Sequence, residues 1–381
     1  MTSCYALGSL LRMFKPIFTL TPAITKALME VEACRQIITS LPLTVAILDS
    51  LRRTARLLST HFSTQIEGNK LSPSQVVEVL EGGGRFPGRE RDEAEVRNYY
   101  KALEFVLGHA PKKESLTEQA ICTIHGLVIS GKKTPTHYRE GQNVIRDGRT
   151  GSMVYLPPEA KDVPALMKDL ITWIKEELQC NVLPVPVIAG LAHYQYATIH
   201  PYYDGNGRTA RLLTTCILHH GGYGLHGIYS LEEYYAEHLQ GYYDALHVGT
   251  SHNYYEGRAE GDVTPFIKYF CVGMADSFAK IRSRAEQEHA KDTSDQTSAL
   301  RELKSQQQKV LSLFARMKTV ASSDVAKFFK ISARAASALC LQWIDSEFLV
   351  IVDPSKKARR YALAEKYEVF VVAQTMDKRT A

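Results

Sequence analysis

The segment from His200 to Arg211, HPYYDGNGRTAR, constrains this chain more than any other part of it. Gly205 and Gly207 lie where a loop passes into a helix that is predicted to begin near Arg208. Backbone N–H groups at a helix start have no partner inside the helix, and the helix dipole adds partial positive charge. Glycines let the backbone approach an anion closely. The segment therefore predicts a loop that binds a polyphosphate.

Charged side chains on both sides of the glycines extend the predicted site. Arg208 and Arg211 are three positions apart, so both project near the helix start, where they can bind phosphate oxygens. Asp204 precedes the glycines, where a carboxylate can hold Mg²⁺ against a phosphate. A neutral His200 imidazole can take the proton of an attacking hydroxyl group. This combination favours a nucleotide site over a simple turn.

The same segment resembles the Fic-domain signature HPFxxGNGRxxR, with Tyr202 where phenylalanine is usual. The resemblance implies a mainly α fold: a Fic-type helical core with a small β-hairpin flap. It implies a protein adenylyltransferase, which moves AMP from ATP to a Ser, Thr or Tyr hydroxyl of a target protein or of itself and releases pyrophosphate. His200 would be the general base and Asp204 the Mg²⁺ ligand. Relatives that transfer phosphate carry a lysine in place of Gly207, so this glycine favours AMP transfer.

The resemblance also assigns the nucleotide contacts. The α- and β-phosphates would be bound by Asn206 and the backbone of Gly205 and Gly207, and the outer phosphates by Arg208 and Arg211. Tyr242 and Tyr243 resemble the family's adenine-side segment, where aromatic rings suit a flat base. Paired tyrosines on a helix are also typical of a protein core, and both interpretations stay open.

An upstream segment, STQIEG, resembles the inhibitory motif (S/T)xxxE(G/N) of many Fic proteins. Ser63 and Glu67 are four positions apart and share one face of a predicted helix, which ends at Gly68. In the family this glutamate pairs with the second arginine of the signature, here Arg211, and ATP then binds unproductively. The alternatives are a surface glutamate at a helix end, or a family variant in which the glutamate activates a water that removes AMP.

A β-hairpin is predicted between residues 142 and 156. Its strands contain Val144 and Ile145 on one side and Met153, Val154 and Tyr155 on the other, around a turn at residues 147–151. The resemblance implies a flap that holds the target by strand addition. The flanking segments Thr136–Arg139 and Tyr155–Pro158 resemble the borders of that flap. A surface hairpin with no binding role is the alternative.

The C-terminal part of the chain is basic, with 15 Lys and Arg against 8 Asp and Glu from residue 301 to the end. Predicted helices at 304–315, 324–329 and 333–346 precede predicted strands at 349–352 and 360–363, an order typical of a winged helix-turn-helix. Arg334 could face a DNA groove, and Lys356, Lys357, Arg359 and Arg360 could touch phosphate. The alanines that follow Arg334 offer few base-reading side chains, so a protein partner is the alternative.

These patterns divide the chain into four predicted regions: an N-terminal helical region with the inhibitory helix at 1–110, a catalytic core at 111–290, a polar linker at 291–299 and the winged helix at 300–375. Seven widely spaced cysteines without a CxxC pair predict reduced thiols and a cytoplasmic protein. No apolar run approaches the ~20 residues of a membrane span. Other open alternatives are a homodimer and a DNA-binding regulator whose Fic core only senses nucleotide.

Overall fold

The computed structural model describes residues 14–109, 116–146, 151–249, 251–258, 260–314, 317–353, 355 and 359–368. Residues 147–150 of the predicted flap turn at 147–151 lie outside these ranges, as do the predicted wing lysines Lys356 and Lys357. The chain divides into two compact units. One comprises residues up to Ser40 together with Leu48–Arg284, and the other comprises Leu41–Ile47 and the chain from Ala285 onward.

The first unit is built mainly of helices, and two short strands form its hairpin. The N-terminal helices are α1 (Pro22–Ser40), α2 (Val45–Ile66), α3 (Pro73–Val77) and α4 (Glu90–His109), with a π-helical turn at Glu78–Gly82. Next come α5 (Glu118–Ser130), β1 (Ile145–Arg146), β2 (Met153–Tyr155) and α6 (Val163–Cys180). The remainder contains α7 (Val185–Ile199), α8 (Asn206–His220), α9 (Glu232–Glu237), α10 (Leu239–Leu246) and α11 (Thr264–Glu302), whose last part continues into the second unit.

Helices α7 and α8 form the centre of this unit. Nearly every residue of α7 is buried, because its sequence is apolar on all sides, as expected for a helix surrounded by others. Helix α8 packs against α7, α4 and α5. The predicted phosphate loop is the connection between α7 and α8, so its geometry is fixed by the two most enclosed helices of the fold.

The second unit has a core of its own around Val310, Val325, Cys340, Trp343 and Phe348. It contains α12 (Ser305–Phe314), β3 (Val320–Ala321), α13 (Ser322–Phe329), α14 (Ala333–Asp345), β4 (Leu349–Asp353) and β5 (Arg360–Leu363). The predicted helices and strands occur in the predicted order. Strand β3 was not predicted, and it pairs with β5 to give the sheet order β3-β5-β4.

Two predicted boundaries differ from the structure. The regions separated at residue 110 lie in one compact unit, because α4 packs against α5 and α8. The predicted linker at 291–299 lies inside helix α11. That segment is polar but contains neither glycine nor proline, so nothing in it ends a helix. In the described part of the chain, no helix is both long enough and apolar enough to cross a membrane.

Candidate active site

The loop between α7 and α8 turns twice through the left-handed backbone region. His200 ends α7 with φ of 51°, and Gly205 precedes α8 with φ of 76°. The Asn206 side chain closes the loop between them. It accepts the Tyr202 N–H at 3.0 Å and donates to the Tyr202 carbonyl at 2.8 Å. Both ends of the Asn206 amide are thus bonded within the loop, which gives this residue a positioning role that the sequence did not indicate.

His125 of α5 packs against the loop and holds it by hydrogen bonds. Its Nε2 lies 2.9 Å from the Asp204 carbonyl oxygen, and its Nδ1 lies 2.8 Å from the Thr136 hydroxyl. Its ring stacks on Tyr202 at 3.5 Å between centroids, with 4° between the planes. Burial lowers the pKa of His125 to about 4, so the ring is neutral at physiological pH. Tyr202 itself is only 3% exposed, so its ring lies in the core.

His200 is held as a neutral imidazole. Burial lowers its pKa to about 4, against smaller raising contributions from the Ala197 carbonyl and Glu67. Nδ1 lies 3.4 Å from the Ala197 carbonyl oxygen. A proton on Nδ1 donated to that carbonyl leaves Nε2 able to accept one. A neutral histidine with one free nitrogen is the protonation state that a general base requires.

Arg211 is 1% exposed, and it is bound from the inhibitory segment. Its Nε donates to the Ser63 hydroxyl at 2.7 Å and its Nη2 to the Ser63 carbonyl at 2.8 Å. Nη2 also lies 2.9 Å from Oε1 of Glu67. Burial acts to lower the pKa of Arg211, but the Glu67 carboxylate together with Tyr242 and Tyr99 raises it above its usual value. The contact that the family resemblance implies between Glu67 and Arg211 is therefore present.

The turn that carries Glu67 is anchored at its other side. Gly68 has φ of 95°, a conformation that favours glycine, directly after α2 ends. Asn69 then donates to the Asp92 carbonyl at 2.9 Å and to Glu95 Oε2 at 3.2 Å, both on α4. The inhibitory segment is thus held between α4 and α8.

Asp204 accepts hydrogen bonds through one carboxylate oxygen, and most of its side chain is exposed to solvent. Oδ1 accepts the Gly205 N–H at 2.6 Å and the Arg208 Nη2 at 3.1 Å. The Asp204 side chain is 62% exposed, whereas Arg208 is 3% exposed. In the described part of the chain, no group of three or more His, Cys, Asp or Glu forms a metal cluster. One exposed carboxylate beside a phosphate loop fits Mg²⁺, which is commonly bound by one or two carboxylates together with substrate phosphates.

Arg139 joins the flap to the loop, a role that no motif in the sequence indicated. Its backbone N–H donates to the Pro201 carbonyl at 3.0 Å, and its Nε donates to the His200 carbonyl at 3.0 Å. The same guanidinium bonds the carbonyls of Gly141 and Pro158 on the two flap borders. A single buried side chain therefore fixes the flap relative to the base.

The flap itself is the antiparallel pair β1 and β2, with Ile145 opposite Tyr155. Val144 lies one residue before β1, not in a strand as predicted. Met153 and Val154 are 47% and 37% exposed. Tyr155 faces the other way, because its hydroxyl donates to the Thr198 carbonyl at 2.8 Å in the interior. Its side chain anchors the flap and does not face a target.

The two tyrosines that were predicted to contact adenine differ in burial. Tyr242 is 3% exposed, and its hydroxyl lies 2.8 Å from Nε2 of the buried His193. This tyrosine is therefore a core residue, the alternative that the sequence left open. Tyr243 is 48% exposed, so it stays the candidate for contact with a base.

Comparisons with known proteins identify the domain around this loop. Residues 115–218 match the model of the Fic/DOC family. A protein named protein adenylyltransferase fic-1 from Caenorhabditis elegans is 30% identical over 228 residues, which is 58% of this chain and 40% of that protein. A protein adenylyltransferase Fic from Aedes aegypti is 30% identical over 241 residues, 62% of this chain and 43% of that protein. This chain therefore spans about two fifths of the length of these relatives.

Solved structures share the fold. A Fic family protein from Desulfovibrio desulfuricans superposes with a TM-score of 0.57 at 24% identity, over 92% of this chain and 99% of that one. Fic-1 from Caenorhabditis elegans superposes with a TM-score of 0.55 at 25% identity, over 70% of this chain and 73% of that one. The loop sequence, the helical core and the matched segment agree, and residues 115–218 of this chain form a Fic domain.

Proposed function

We propose that this protein is an adenylyltransferase that moves AMP from ATP to a hydroxyl group of a protein. The observation that carries the proposal is a neutral His200 at the first position of a glycine loop that opens helix α8. Helix α8 begins at Asn206, six positions after His200, so one turn of the chain holds a base close to an anion-binding helix start. The relatives named protein adenylyltransferase support the same reaction.

In the proposed reaction, the target hydroxyl gives its proton to Nε2 of His200. Its oxygen forms a bond to the α-phosphorus of ATP, and the bond from that phosphorus to the bridging oxygen breaks, so that pyrophosphate leaves. Gly207 brings its backbone N–H group to the phosphates, whereas the Gly205 N–H is bonded to Oδ1 of Asp204. Arg208 and Arg211 stabilise the negative charge. Mg²⁺ held by Asp204 would neutralise phosphate charge in the complex.

The flap supplies the proposed target site. Its strands expose the Met153 and Val154 side chains at the surface, and a strand edge can bind an extended peptide through main-chain hydrogen bonds. Val144 and Ile145 on the opposite side are half-buried. Because Arg139 bonds both flap borders and the His200 carbonyl, a peptide on the flap would be positioned relative to the base.

Glu67 is proposed to inhibit this reaction in the resting protein. A guanidinium that already faces a carboxylate has less capacity to bind a phosphate. Among the described residues, Nη1 of Arg211 has no hydrogen-bond partner, whereas its other nitrogens are bonded to Ser63 and Glu67. Removal of Glu67 would free Nη2 for the nucleotide, and the other bonds would still hold the side chain.

The experiment compares label transfer from ATP labelled at the α-phosphate and at the γ-phosphate, with and without a cell lysate. The Glu67→Gly variant is expected to label itself or a target strongly from α-labelled ATP only. The Glu67→Gly/His200→Ala double variant is expected to transfer no label. Glu237→Gly is the matched control, because it removes a carboxylate paired with Lys280 on the surface. Transfer from γ-labelled ATP would show phosphate transfer instead, and equal labelling of wild type and Glu67→Gly would contradict inhibition.

Removal of AMP is the second use that Glu67 could serve, and the same assay separates it from inhibition. Labelled target is chased with excess unlabelled ATP in the presence of wild-type protein. Loss of label that requires Glu67 would assign it a role in hydrolysis. Stable label would leave inhibition as its only role.

The C-terminal unit is the basis of a second candidate, a DNA-binding regulator. Arg334 is exposed at the start of α14, as the winged-helix interpretation requires. The Arg360 guanidinium instead bonds Thr319 within the unit. Binding of a DNA fragment by the full chain at low salt, lost in Arg334→Ala, would support this candidate. Unchanged AMP transfer in that variant would leave the Fic reaction independent of it.

The proposal also includes a possible homodimer, a cytoplasmic location and modification of the protein by itself. A homodimer would be detected by light scattering of the full chain. A cytoplasmic location is proposed from the seven widely spaced cysteines, which include no CxxC pair. Self-modification would appear as label on the protein itself in the assay above.

A further inference from the structure

An open cavity lies beside the inhibitory helix α2, at the opposite end of α8 from the phosphate loop. Its volume is about 360 Å³, which is within the range of small-molecule sites. The side chains that define it are Arg52 and Arg56 of α2, Glu104 and Leu107 of α4, His219 of α8, and His226 of the turn that follows α8. Two arginines against one glutamate give these walls a net positive charge.

The guanidinium of Arg56 is available to a ligand in this cavity. Its Nε atom is buried and has no hydrogen-bond partner among the described residues. Its Nη1 atom lies 3.7 Å from Oε1 of Glu104, which makes an ion pair but is too long for a hydrogen bond. A buried donor without an acceptor is costly. An anion that entered the cavity would supply the missing acceptor.

Two neighbouring side chains extend this set of donors. Arg52 is one helical turn before Arg56, so both project to the same side of α2. Arg52 Nε donates to the His226 carbonyl at 2.8 Å, and its Nη1 pairs with Asp49 at 3.1 Å. Burial lowers the pKa of His219 to about 4, so its ring is neutral and carries one N–H. Two guanidinium groups and an imidazole therefore meet at one cavity.

The turn that forms one wall has a costly backbone conformation. Leu225 and His226 both have positive φ, at 41° and 56°, a region that residues other than glycine rarely adopt. Such conformations persist only where the surrounding structure enforces them, and they cluster at functional sites. Here the bond from Arg52 to the His226 carbonyl holds the turn against α2. The cavity wall is therefore fixed by a specific contact.

The cavity follows the same helix interface as the inhibitory contact. A void of about 10 Å³ shares walls with the cavity and is also lined by Ser59 of α2 and Thr215 of α8. Ser59 is one helical turn before Ser63, and Thr215 is one turn after Arg211. Since Ser63 bonds Arg211, a ligand in the cavity would join α2 to α8 close to the point where inhibition is proposed to act.

We propose that this cavity binds the phosphoryl group of a small phosphate ester, and that the bound ester holds the inhibitory helix α2 against α8. A terminal phosphoryl group has three oxygens, enough for two guanidinium groups and an imidazole, whereas a single guanidinium satisfies a carboxylate. The remaining volume accommodates a sugar. A ligand that binds only while α2 lies against α8 stabilises that arrangement. The site is independent of the proposed function, and its effect on inhibition rests on that function.

Binding to the full chain is measured by calorimetry with ribose 5-phosphate, inorganic phosphate and ribose at constant ionic strength. Ribose 5-phosphate is expected to bind more tightly than inorganic phosphate, and ribose is expected not to bind. Arg56→Gln should weaken the binding of ribose 5-phosphate at least about tenfold, the size of one hydrogen bond to a charged group. Glu104→Gln should strengthen it several-fold, because the competing carboxylate is gone.

Arg53→Gln is the matched control. It removes the same charge from the same helix, but Arg53 is exposed and pairs with Glu81 outside the cavity. This variant should change the affinity less than about twofold. Equal losses in Arg53→Gln and Arg56→Gln would overturn the proposal, as would no binding or binding of inorganic phosphate alone.

The phosphate loop is a second place where the probe could bind, and Arg208→Gln separates the two sites. This variant should leave the binding of ribose 5-phosphate at the cavity unchanged. Binding that is lost in Arg208→Gln and kept in Arg56→Gln would place the probe at the loop and overturn the proposal.

Hydrogen exchange tests the effect on the inhibitory helix without any measurement of activity. Ribose 5-phosphate should slow exchange at residues 59–67 several-fold in the wild type and not in Arg56→Gln. Binding without slower exchange would overturn the proposed hold on α2. If Glu67→Gly transfers no AMP while binding and exchange behave as expected, the proposed function fails and the cavity site stands. If AMP is transferred but ribose 5-phosphate does not bind, the cavity site fails and the proposed function stands.

Discussion

The Glu67 carboxylate lies directly against the α-carbon of Gly207. A β-carbon added at position 207 would be 2.3 Å from Oε1 and 3.2 Å from Cδ of Glu67, and 3.3 Å from Nη1 of Arg211. The first of these distances is a severe overlap. The inhibitory glutamate therefore fits beside Arg211 only because the loop has no side chain at this position.

This contact predicts coupling between Gly207→Ala and Glu67→Gly. In the wild-type background, alanine would displace Glu67 and lower the melting temperature. In the Glu67→Gly background the overlap is gone, and alanine should be neutral or slightly stabilising, because it favours a helix over glycine by about 1 kcal/mol. We expect a coupling free energy of at least about 1 kcal/mol in a double-mutant cycle of thermal unfolding. Additive effects would show that the two residues do not meet in solution.

The buried histidines predict a loss of stability in mild acid. Burial lowers the pKa of His125, His200 and His219 to about 4 and that of His193 to about 3. In the unfolded chain the same groups bind protons near pH 6.5. Between pH 6.5 and 4 the unfolded state therefore holds more protons, and stability falls as pH falls, by about 1.4 kcal/mol per pH unit for each histidine.

Melting curves from pH 7.5 to 5 measure this effect. His219→Gln should flatten the dependence by about one proton while the other three histidines remain. His219 is chosen because it lies outside the loop, near the end of α8. A melting temperature that does not change over this pH range would contradict neutral, buried histidines.

The contacts of Arg139 predict that substitution of this residue increases the mobility of the whole flap. Arg139→Gln would leave the carbonyls of His200, Gly141 and Pro158 without their guanidinium donor, at roughly 1–3 kcal/mol for each buried group. Hydrogen exchange followed by mass spectrometry should then speed up in residues 141–158 and at the loop after His200. Arg97→Gln is the control, since Arg97 bonds Glu93 and the Gly84 carbonyl far from the flap. Unchanged exchange in the flap would remove the proposed role of Arg139.

Tyr202→Phe is expected to be close to neutral. The ring stacks on His125, and the phenylalanine ring would preserve that contact. The hydroxyl's contact with Cys122 Sγ, at 3.4 Å, is weak. Tyr202→Ala, in contrast, should cost roughly 3–5 kcal/mol through the cavity it leaves. Melting temperature and AMP transfer from the Glu67→Gly background measure both. A large loss of activity in Tyr202→Phe would show that the hydroxyl has a role of its own.

The sequence predicted the parts of the site that depend on local order. The loop, the helices beside it and the end of α2 just before Glu67 follow from glycines, caps and helical periodicity. A capping box between Ser72 and Gln75 begins α3, a local feature of the same kind. The Glu67–Arg211 contact joins residues that are 144 positions apart, and only the family resemblance pointed to it.

Residues whose role depends on tertiary packing could not be predicted in this way. His125 is a single histidine on an apolar helix, a pattern that is more often a core position. Arg139 bonds carbonyl groups from three separate segments. Every residue has a backbone carbonyl, so the pattern of side chains does not show which carbonyls an arginine will bond. Met153, Val154 and Tyr155 are all apolar, so no alternation in the strand marks Tyr155 as the one buried residue. Its inward direction is shown only by the bond from its hydroxyl to the Thr198 carbonyl. Strand β3 has two residues, too few for any periodicity.

That bond from Tyr155 to Thr198 has a consequence for the choice of target. Thr198 lies two positions before His200 at the end of α7. The flap is therefore hydrogen-bonded to the same helix that positions His200. A target peptide that paired with the hairpin, as proposed, would therefore be held in a fixed position relative to His200. The acceptor residue would then have to occupy one particular position along the bound peptide, so that its hydroxyl reaches His200. Tyrosine reaches farther than serine or threonine, so acceptor type and register would be selected together.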